Sequence, residues 1–269
     1  MDIQESIRLK LAEIEQQENV TILHAVESGS RSWGFASPDS DYDVRFIYVR
    51  RRNDYLRLNK TSDVIEWQLD ETYDISGWDL QKMLTLLHQS NPTVFEWNHS
   101  PLIYRTTPYW EQIRPLIDSC FIEKKGLYHY LHMAKTNYRE YLRGETVRLK
   151  KYFYVLRPVL AAYWITERHC PPPMLFSELE AAMLPPEMQP TVDSLLTMKM
   201  QTPEMGEGAR IPELNAYLDR CIAEIEALAE KTDGSRSADW ALLNQMFLDG
   251  IAYGEASSGR TAQHRTDTK

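Results

Sequence analysis

The chain has 269 residues, 43% hydrophobic and 11% aromatic, enough for one large core or two ordinary ones and too apolar for a disordered segment. Its formal charge of −9, from 39 acidic and 30 basic residues, argues against a protein that coats nucleic acid over its whole surface. Cys120, Cys170 and Cys221 form no C-x-x-C pair, MDIQESIRLK lacks a signal-peptide core, and no apolar run approaches the roughly 20 residues of a membrane span, so a cytoplasmic, non-membrane protein is expected.

Ile3, Ile7, Leu11 and Ile14 predict an amphipathic helix over residues 3 to 17. NVTILHAV, 19 to 26, predicts a strand, followed by a Gly-Ser turn and a short helical turn through Arg31 to Phe35. Tyr42 to Val49 is rich in β-branched and aromatic residues and predicts the next strand, closed by Arg50-Arg51-Arg52. Residues 62 to 76 predict one or two more strand segments. From Gly77 the positions Trp78, Leu80, Met83, Leu84 and Leu87 return to helical period, until Asn91-Pro92 breaks the helix and Thr93 to Trp97 forms another turn.

After about residue 105 every segment reads as helix, from TPYWEQIRPLI through VRLKKYFYVLRPVLAAYWITER to SADWALLNQMFL. Gly144 and Pro171-Pro172-Pro173 punctuate the run, and Pro158 predicts a kink. The expectation is an α/β domain over residues 1–115, a helical domain over 116–254 and a flexible tail over 255–269.

The stretch that carries chemistry is ESGSRSWGFASPDSDYDV, residues 27 to 44. Residues i and i+2 of a strand share a face, which makes Asp41 and Asp43 neighbours with Tyr42 turned away. At an effective dielectric near 20 two adjacent carboxylates repel by roughly 4 kcal/mol, and a divalent cation such as Mg2+ reverses that sign with the hard oxygen ligands it prefers. Gly29 lets the backbone approach a phosphate, exposed N–H groups at a helix start attract anions, and Ser30 adds a hydroxyl. A lone D-x-D is more often a solvated turn, and Ser37-Pro38-Asp39-Ser40 is ordinary turn chemistry; the order strand, Gly-Ser, short helix, turn, acidic strand is what points to a metal site.

These residues resemble the nucleotidyltransferase superfamily that includes DNA polymerase beta, whose signature is Gly-Gly or Gly-Ser, a spacer of about ten residues, then Asp-x-Asp or Asp-x-Glu between apolar positions. GSRSWGFASPDSDYDVRFIYV, DISGWDLQKMLTLLHQSNPTVFEW, SPLIY, YLHMAKTNYREYL and VRLKKYFYVLRPVLAAYWI are similar to its YcgL-like, or RNA-repair-pathway, branch, from about residue 20 to 180. The resemblance implies a nucleotidyltransferase-type mixed sheet with flanking helices, followed by an all-helical second domain. It implies an enzyme that attacks the α-phosphate of a nucleoside triphosphate such as ATP and releases pyrophosphate, using Mg2+ or Mn2+ held by three carboxylates. Asp41 and Asp43 match the paired carboxylates, Asp74 is the choice for the third, and Asp70 and Asp79 are runners-up. Ser28 departs from the apolar residue usual before the glycine. The acceptor stays open between an RNA 3′ end, a protein hydroxyl and a small-molecule alcohol. A non-catalytic nucleotide-binding module and a metal-dependent phosphohydrolase are the rival readings.

Charge is unevenly spread. Residues 121 to 170 hold ten Lys/Arg against four Asp/Glu, while 171 to 234 hold four against twelve. Lys150, Tyr154 and Arg157 fall on one helix face with tyrosines nearby, which suits a triphosphate and a nucleic-acid strand but also describes a solvated face over buried aromatic stems. Gly29, Ser30, Arg31, Lys150, Lys151 and Arg157 are therefore the expected nucleotide-binding residues. His129 and His132 lack an evident third ligand, His24 reads as a core or edge residue, and Trp33 and Trp78 as packing residues.

Overall fold

A computed structural model describes residues 2–201, 206–235 and 238–266, with side chains to residue 257. In chain order the first part runs α1 (Ile3–Glu18), β1 (Thr21–Ser28), α2 (Gly29–Ser32), β2 (Tyr42–Val49), α3 (Arg52–Tyr55), β3 (Val64–Leu69), β4 (Tyr73–Asp79), α4 (Leu80–His88), α5 (Pro92–Asn98), β5 (Ile103–Thr106) and α6 (Pro108–Ser119). The strands form one sheet in the order β3-β4-β2-β1-β5. β1 pairs antiparallel with β2 and β5, β3 pairs antiparallel with β4, and β2 and β4 run parallel. The sheet is mixed, as expected.

Apolar side chains cover both faces. Ile7, Leu11 and Ile14 of α1 pack with Ile22, Val44, Phe46 and Tyr48 in a small cluster on one face. Leu23, Ile47 and Val49 belong to the larger cluster on the other face, with residues of α4, α5 and α6. The two-residue period of a strand thus assigns β2 cleanly: Val44, Phe46 and Tyr48 lie under α1, whereas Asp43 and Arg45 share the face of Ile47 and Val49. The acidic end of β2 accordingly looks toward the helical part of the molecule.

That part comprises α7 (Glu123–Tyr141), β6 (Thr146–Arg148), α8 (Lys151–Arg168), α9 (Phe176–Met183), α10 (Gln189–Gln201), β7 (Glu207–Ala209), α11 (Pro212–Lys231) and α12 (Trp240–Thr266). α8 contains Pro158 and is buried along most of its length, so α7, α9 and α11 pack around it as around a core helix. The stretch expected to be wholly helical also contains a two-stranded ladder, β6 against β7, formed by residues far apart in sequence. α12 returns to the sheet and packs on α4, α6, β1 and β2. It continues into the stretch expected as a tail, whose side chains beyond 257 and last three residues lie outside the described residues. Among the described residues no helix is long and apolar enough to cross a membrane.

Candidate active site

Register at the start of β2 builds the site. Asp43 lies opposite Ser28 of β1 on one side and opposite Asp74 of β4 on the other, so two carboxylates stand side by side on parallel strands. Arg45, two residues along the same face, bridges them: its Nη2 lies 3.3 Å from Asp43 Oδ1 and 2.6 Å from Asp74 Oδ2. Its Nη1 donates to the Asp74 carbonyl at 2.6 Å. Asp41, just before the strand, lines the same cleft as Asp43. Burial lifts the Asp43 carboxyl to about 6; the Asp41 and Asp74 charges add to the lift, while Arg45 and Arg31 oppose it.

Register and cleft lining place the three candidates for the third carboxylate differently. Asp70 is in the β3–β4 turn, where its Oδ1 accepts the N–H groups of Thr72 and Tyr73 at 2.8 Å each, and those bonds lower its pKa. Asp79 stands at the opposite end of β4 across from Tyr48, capping α4 through Gln81 N–H at 2.8 Å. Asp74 alone of the three is the cross-strand neighbour of Asp43.

Gly29 has a sharper reason than backbone permissiveness. Its φ is +67°, and a Cβ there would fall 2.1 Å from Asp43 Oδ2, so the missing side chain is the space the carboxylate occupies. α2, which follows, is a single turn of four residues. Ser30 Oγ donates to Ser40 Oγ at 3.2 Å, and Arg31 donates to the carbonyls of Asp41, at 2.9 Å, and Ser40. The Arg31 guanidinium also lies 3.8 Å over the Tyr42 ring. Arg31 thus braces the loop that delivers Asp41, and its side chain lines the neighbouring cavity rather than the acidic cleft.

Behind the pair stands Glu27, fully buried, which the sequence reading passed over. Its Oε1 accepts the Asp43 backbone N–H at 2.9 Å and its Oε2 accepts the Tyr104 hydroxyl. Burial is the main cause that raises its carboxyl to about 7. The available signal was an acid closing the otherwise apolar run TILHAV.

The cleft has a volume of about 440 Å³. Gly29, Ser30, Asp41 and Asp43 line its sheet side, with Asp39 from the loop before β2 and Asp70 and Glu71 from the β3–β4 turn; Lys150, Tyr154 and Lys199 come from the helical part, and Trp33 also faces it. Of the expected cations, only Lys150 is on this wall. The Lys151 ammonium lies over the rings of Tyr141, at 3.9 Å, and Tyr154, at 4.6 Å. Arg157 corrects the helical-face reading: it is 2% exposed, bonded through Nη1 to Glu96 Oε1 at 2.9 Å, and lies 4.9 Å over the Trp33 ring. Lys150 lines the cleft, but α8 dives into the core, so two turns in the same face is covered by Trp33 and Glu96. Lys199, on α10, was not foreseen.

The remaining candidates are structural. His24 stacks on Trp110 at 4.4 Å, and burial lowers its pKa to about 3. Trp78 packs on Trp97 at 4.1 Å. Burial likewise lowers the pKa of His129, whose ring meets Tyr130 edge-on. Trp33 packs as expected, yet it also borders the cleft.

The donor set, hard carboxylate oxygens, suits a divalent cation of the Mg2+ type; burial first, and then the neighbouring Asp41 and Asp74 charges, raise the proton affinity of Asp43. With Arg45 occupying the gap between Asp43 and Asp74, no three His, Cys, Asp or Glu side chains converge on a single point among the described residues.

The profile of the RNA repair pathway DNA polymerase beta family matches residues 3–249. The uncharacterized protein YcgL of Bacillus subtilis (strain 168) is 42% identical over 246 residues, covering 90% of this chain and 94% of the relative. Among solved structures, a nucleotidyltransferase-like protein from Exiguobacterium sibiricum 255-15 aligns with a TM-score of 0.31 and 14% identity, over 85% of this chain and 75% of that one. The sequence resemblance and the matched profile agree: this chain belongs to the RNA repair pathway DNA polymerase beta family.

Proposed function

We propose that the protein transfers a nucleoside monophosphate from a nucleoside triphosphate to a hydroxyl acceptor and releases pyrophosphate. The observation that carries this reading is Asp43 beside Asp74 in parallel register, with Asp41 on the same cleft. In the reaction the acceptor oxygen bonds to the α-phosphorus, the bond from that phosphorus to the oxygen bridging to the β-phosphate breaks, and its electron pair leaves on pyrophosphate. Asp74, beside the pair, takes the hydroxyl proton. Asp41, Asp43 and Asp74 would hold Mg2+ or Mn2+, which supplies charge neutralisation at the transferring phosphate. Gly29 and Glu27 keep the Asp43 carboxylate and backbone in place, and Arg31 keeps Asp41 in place. Such chemistry needs positioning and electrostatic stabilisation more than covalent participation by the protein.

Residues 1–115 serve as the catalytic unit, and residues 116–254 add Lys150 and Lys199 to the cleft. The acceptor is an RNA 3′ end, in line with the family's description. Cys120, Cys170 and Cys221 form no disulfide, which suits work in the cytoplasm. Incubation of the full chain with each α-labelled NTP and Mg2+ or Mn2+, in the presence of RNA, of protein and of neither, tests the reading. Label at an RNA 3′ end is expected. Labelled polypeptide would reassign the acceptor to a protein hydroxyl, free monophosphate would make the enzyme a hydrolase, and no product under any condition would overturn the catalytic reading in favour of a nucleotide-binding module.

A further inference from the structure

A second cavity, of about 560 Å³, shares the loop between α2 and β2 with the acidic cleft. Trp33, Ser37, Asp39, Ser40 and Asp41 face the cleft, whereas Arg31, Gly34 and Ala36 face this cavity. Tyr42 and Tyr104 line it from the sheet, on the face that α1 covers. Leu102 and Ile103, each 39% exposed, form its rim where β5 is the edge of the sheet.

Its polar walls are tied to the paired aspartates. Arg31 donates through Nε to the Asp41 carbonyl at 2.9 Å and through Nη2 to the Ser40 carbonyl. The Tyr104 hydroxyl donates to Glu27, which accepts the Asp43 N–H at 2.9 Å. An occupant touching Arg31 and Tyr104 is therefore one residue removed from the Asp41 backbone and two from that of Asp43.

No Asp or Glu and no second cation line the cavity. Among the described residues Arg31 Nη1 has no hydrogen-bond partner and no carboxylate forms an ion pair with Arg31; the charges of Glu27 and Asp43 reach it from a distance. Its guanidinium lies 3.8 Å over the Tyr42 ring. Such a guanidinium offers spare N–H groups to a phosphate and its plane to a base. The rim and the tyrosines add surface on which an unpaired base sheds water. The volume is that of a small-molecule site, too large for a phosphate alone.

We propose that this cavity is a nucleotide site separate from the acidic cleft. It takes one unpaired nucleotide by its phosphate, on Arg31, and by its base, against Tyr42, Leu102 and Ile103. Two sources share that chemistry: the single-stranded end of an acceptor RNA and a free mononucleotide. The choice of a nucleotide rests on the nucleotidyl-transfer reading, but the test needs no transfer.

The probe is a fluorescein-labelled pentaribonucleotide, followed by anisotropy with the full chain in EDTA, with AMP and inorganic phosphate as competitors. Wild type should bind it. Leu102→Glu and Ile103→Glu set a carboxylate at the rim and should each weaken binding about tenfold, with Mn2+ affinity, measured without RNA, unchanged. AMP that displaces the pentamer where equal phosphate does not shows that base and phosphate are both read, and that a mononucleotide suffices. A pentamer sensitive to the rim variants yet not displaced by AMP assigns the site to the acceptor strand. A pentamer carrying 4-thiouridine, crosslinked to wild type, should mark Tyr42 or residues 101–104, which answers the same question if the variants misfold. Crosslinks confined to cleft residues such as Tyr154 and Lys199 overturn the proposal. So do folded rim variants that bind like wild type, phosphate that competes as well as AMP, and wild-type protein that binds neither pentamer nor millimolar AMP. A chain that binds the pentamer through the rim yet transfers no label keeps this inference and loses the transfer reading. Label transfer with pentamer binding indifferent to the rim does the opposite.

Discussion

The two ends of the β2–β4 ladder hold carboxyls with the same displaced affinity and different surroundings. Asp43 at one end and Asp79 at the other are each raised to about 6, with burial the main cause at both. At Asp79 the next influences are hydrogen bonds from Gln81 N–H and the Tyr55 hydroxyl, which favour the charged form. At Asp43 the next influence is the like charge of Asp41, and Asp74 adds to it. Asp79 is 3% exposed and closed in; Asp43 opens onto a cleft with two lysines on its far wall. A perturbed carboxyl alone therefore does not mark a site. What marks it is unresolved charge facing a space that a ligand can enter.

The strongest way to break this comparison is to neutralise each end in turn. Asp43→Asn should lower the rate of label transfer by ~10³, the upper end of the loss for removing one preorganised electrostatic group. Asp79→Asn, which keeps a capping oxygen, should leave the rate near wild type. Equal losses in the two variants would mean that the ends are not functionally distinct. Stability should show the opposite order. Asp79→Ala removes the cap from Gln81 and leaves the Tyr55 hydroxyl without its acceptor, a loss of about 1–2 kcal/mol in urea unfolding. Asp43→Ala should cost less, because it removes repulsion along with the Arg45 contact.

Gly29→Ala sharpens the same contrast at the active end. It places a methyl group where the Asp43 carboxylate lies and holds a non-glycine residue at φ +67°, a backbone cost of about 1–2 kcal/mol. The carboxylate must move, so Mn2+ affinity measured by titration should fall together with stability. Unchanged Mn2+ affinity in a folded Gly29→Ala protein would show that Asp43 takes no part in cation binding.

Local patterns carried much of this into the sequence. The alternation of Val44, Phe46 and Tyr48 against Ile47 and Val49 sets which face of β2 looks toward the helices, and the Gly-Ser and Asp-x-Asp stretches fix the loop and the acidic pair. Of the three candidates only Asp74 is the cross-strand neighbour of Asp43, and that parallel pairing is a long-range fact with no local signal. Arg45 was invisible as a partner for the same reason, since its contact to Asp74 exists only across the ladder. Arg157 shows the limit of helical periodicity: a period fixes direction around an axis, not depth along it. Lys199 and the β6–β7 ladder depend on contacts between distant segments, for which one sequence has no local signal.

The last effect concerns pH and separates the two ends by what a cation can do. Both aspartates have folded pKa values above the unfolded 3.8, so each favours the folded state fully below about 4, and that contribution is lost as pH rises through about 6. Glu27, raised to about 7 from 4.5, acts with the same sign and is lost last. Metal-free protein should therefore lose stability between pH 4 and pH 7 through these groups. Asp43→Asn and Asp79→Asn should each flatten part of that slope in urea unfolding. On the proposed reading Mg2+ takes the ionised form of Asp43, so at pH 8 it should stabilise wild type and Asp79→Asn but not Asp43→Asn. If Mg2+ stabilised Asp43→Asn as strongly as the other two, the cation would be bound elsewhere, and the two ends would differ only in accessibility.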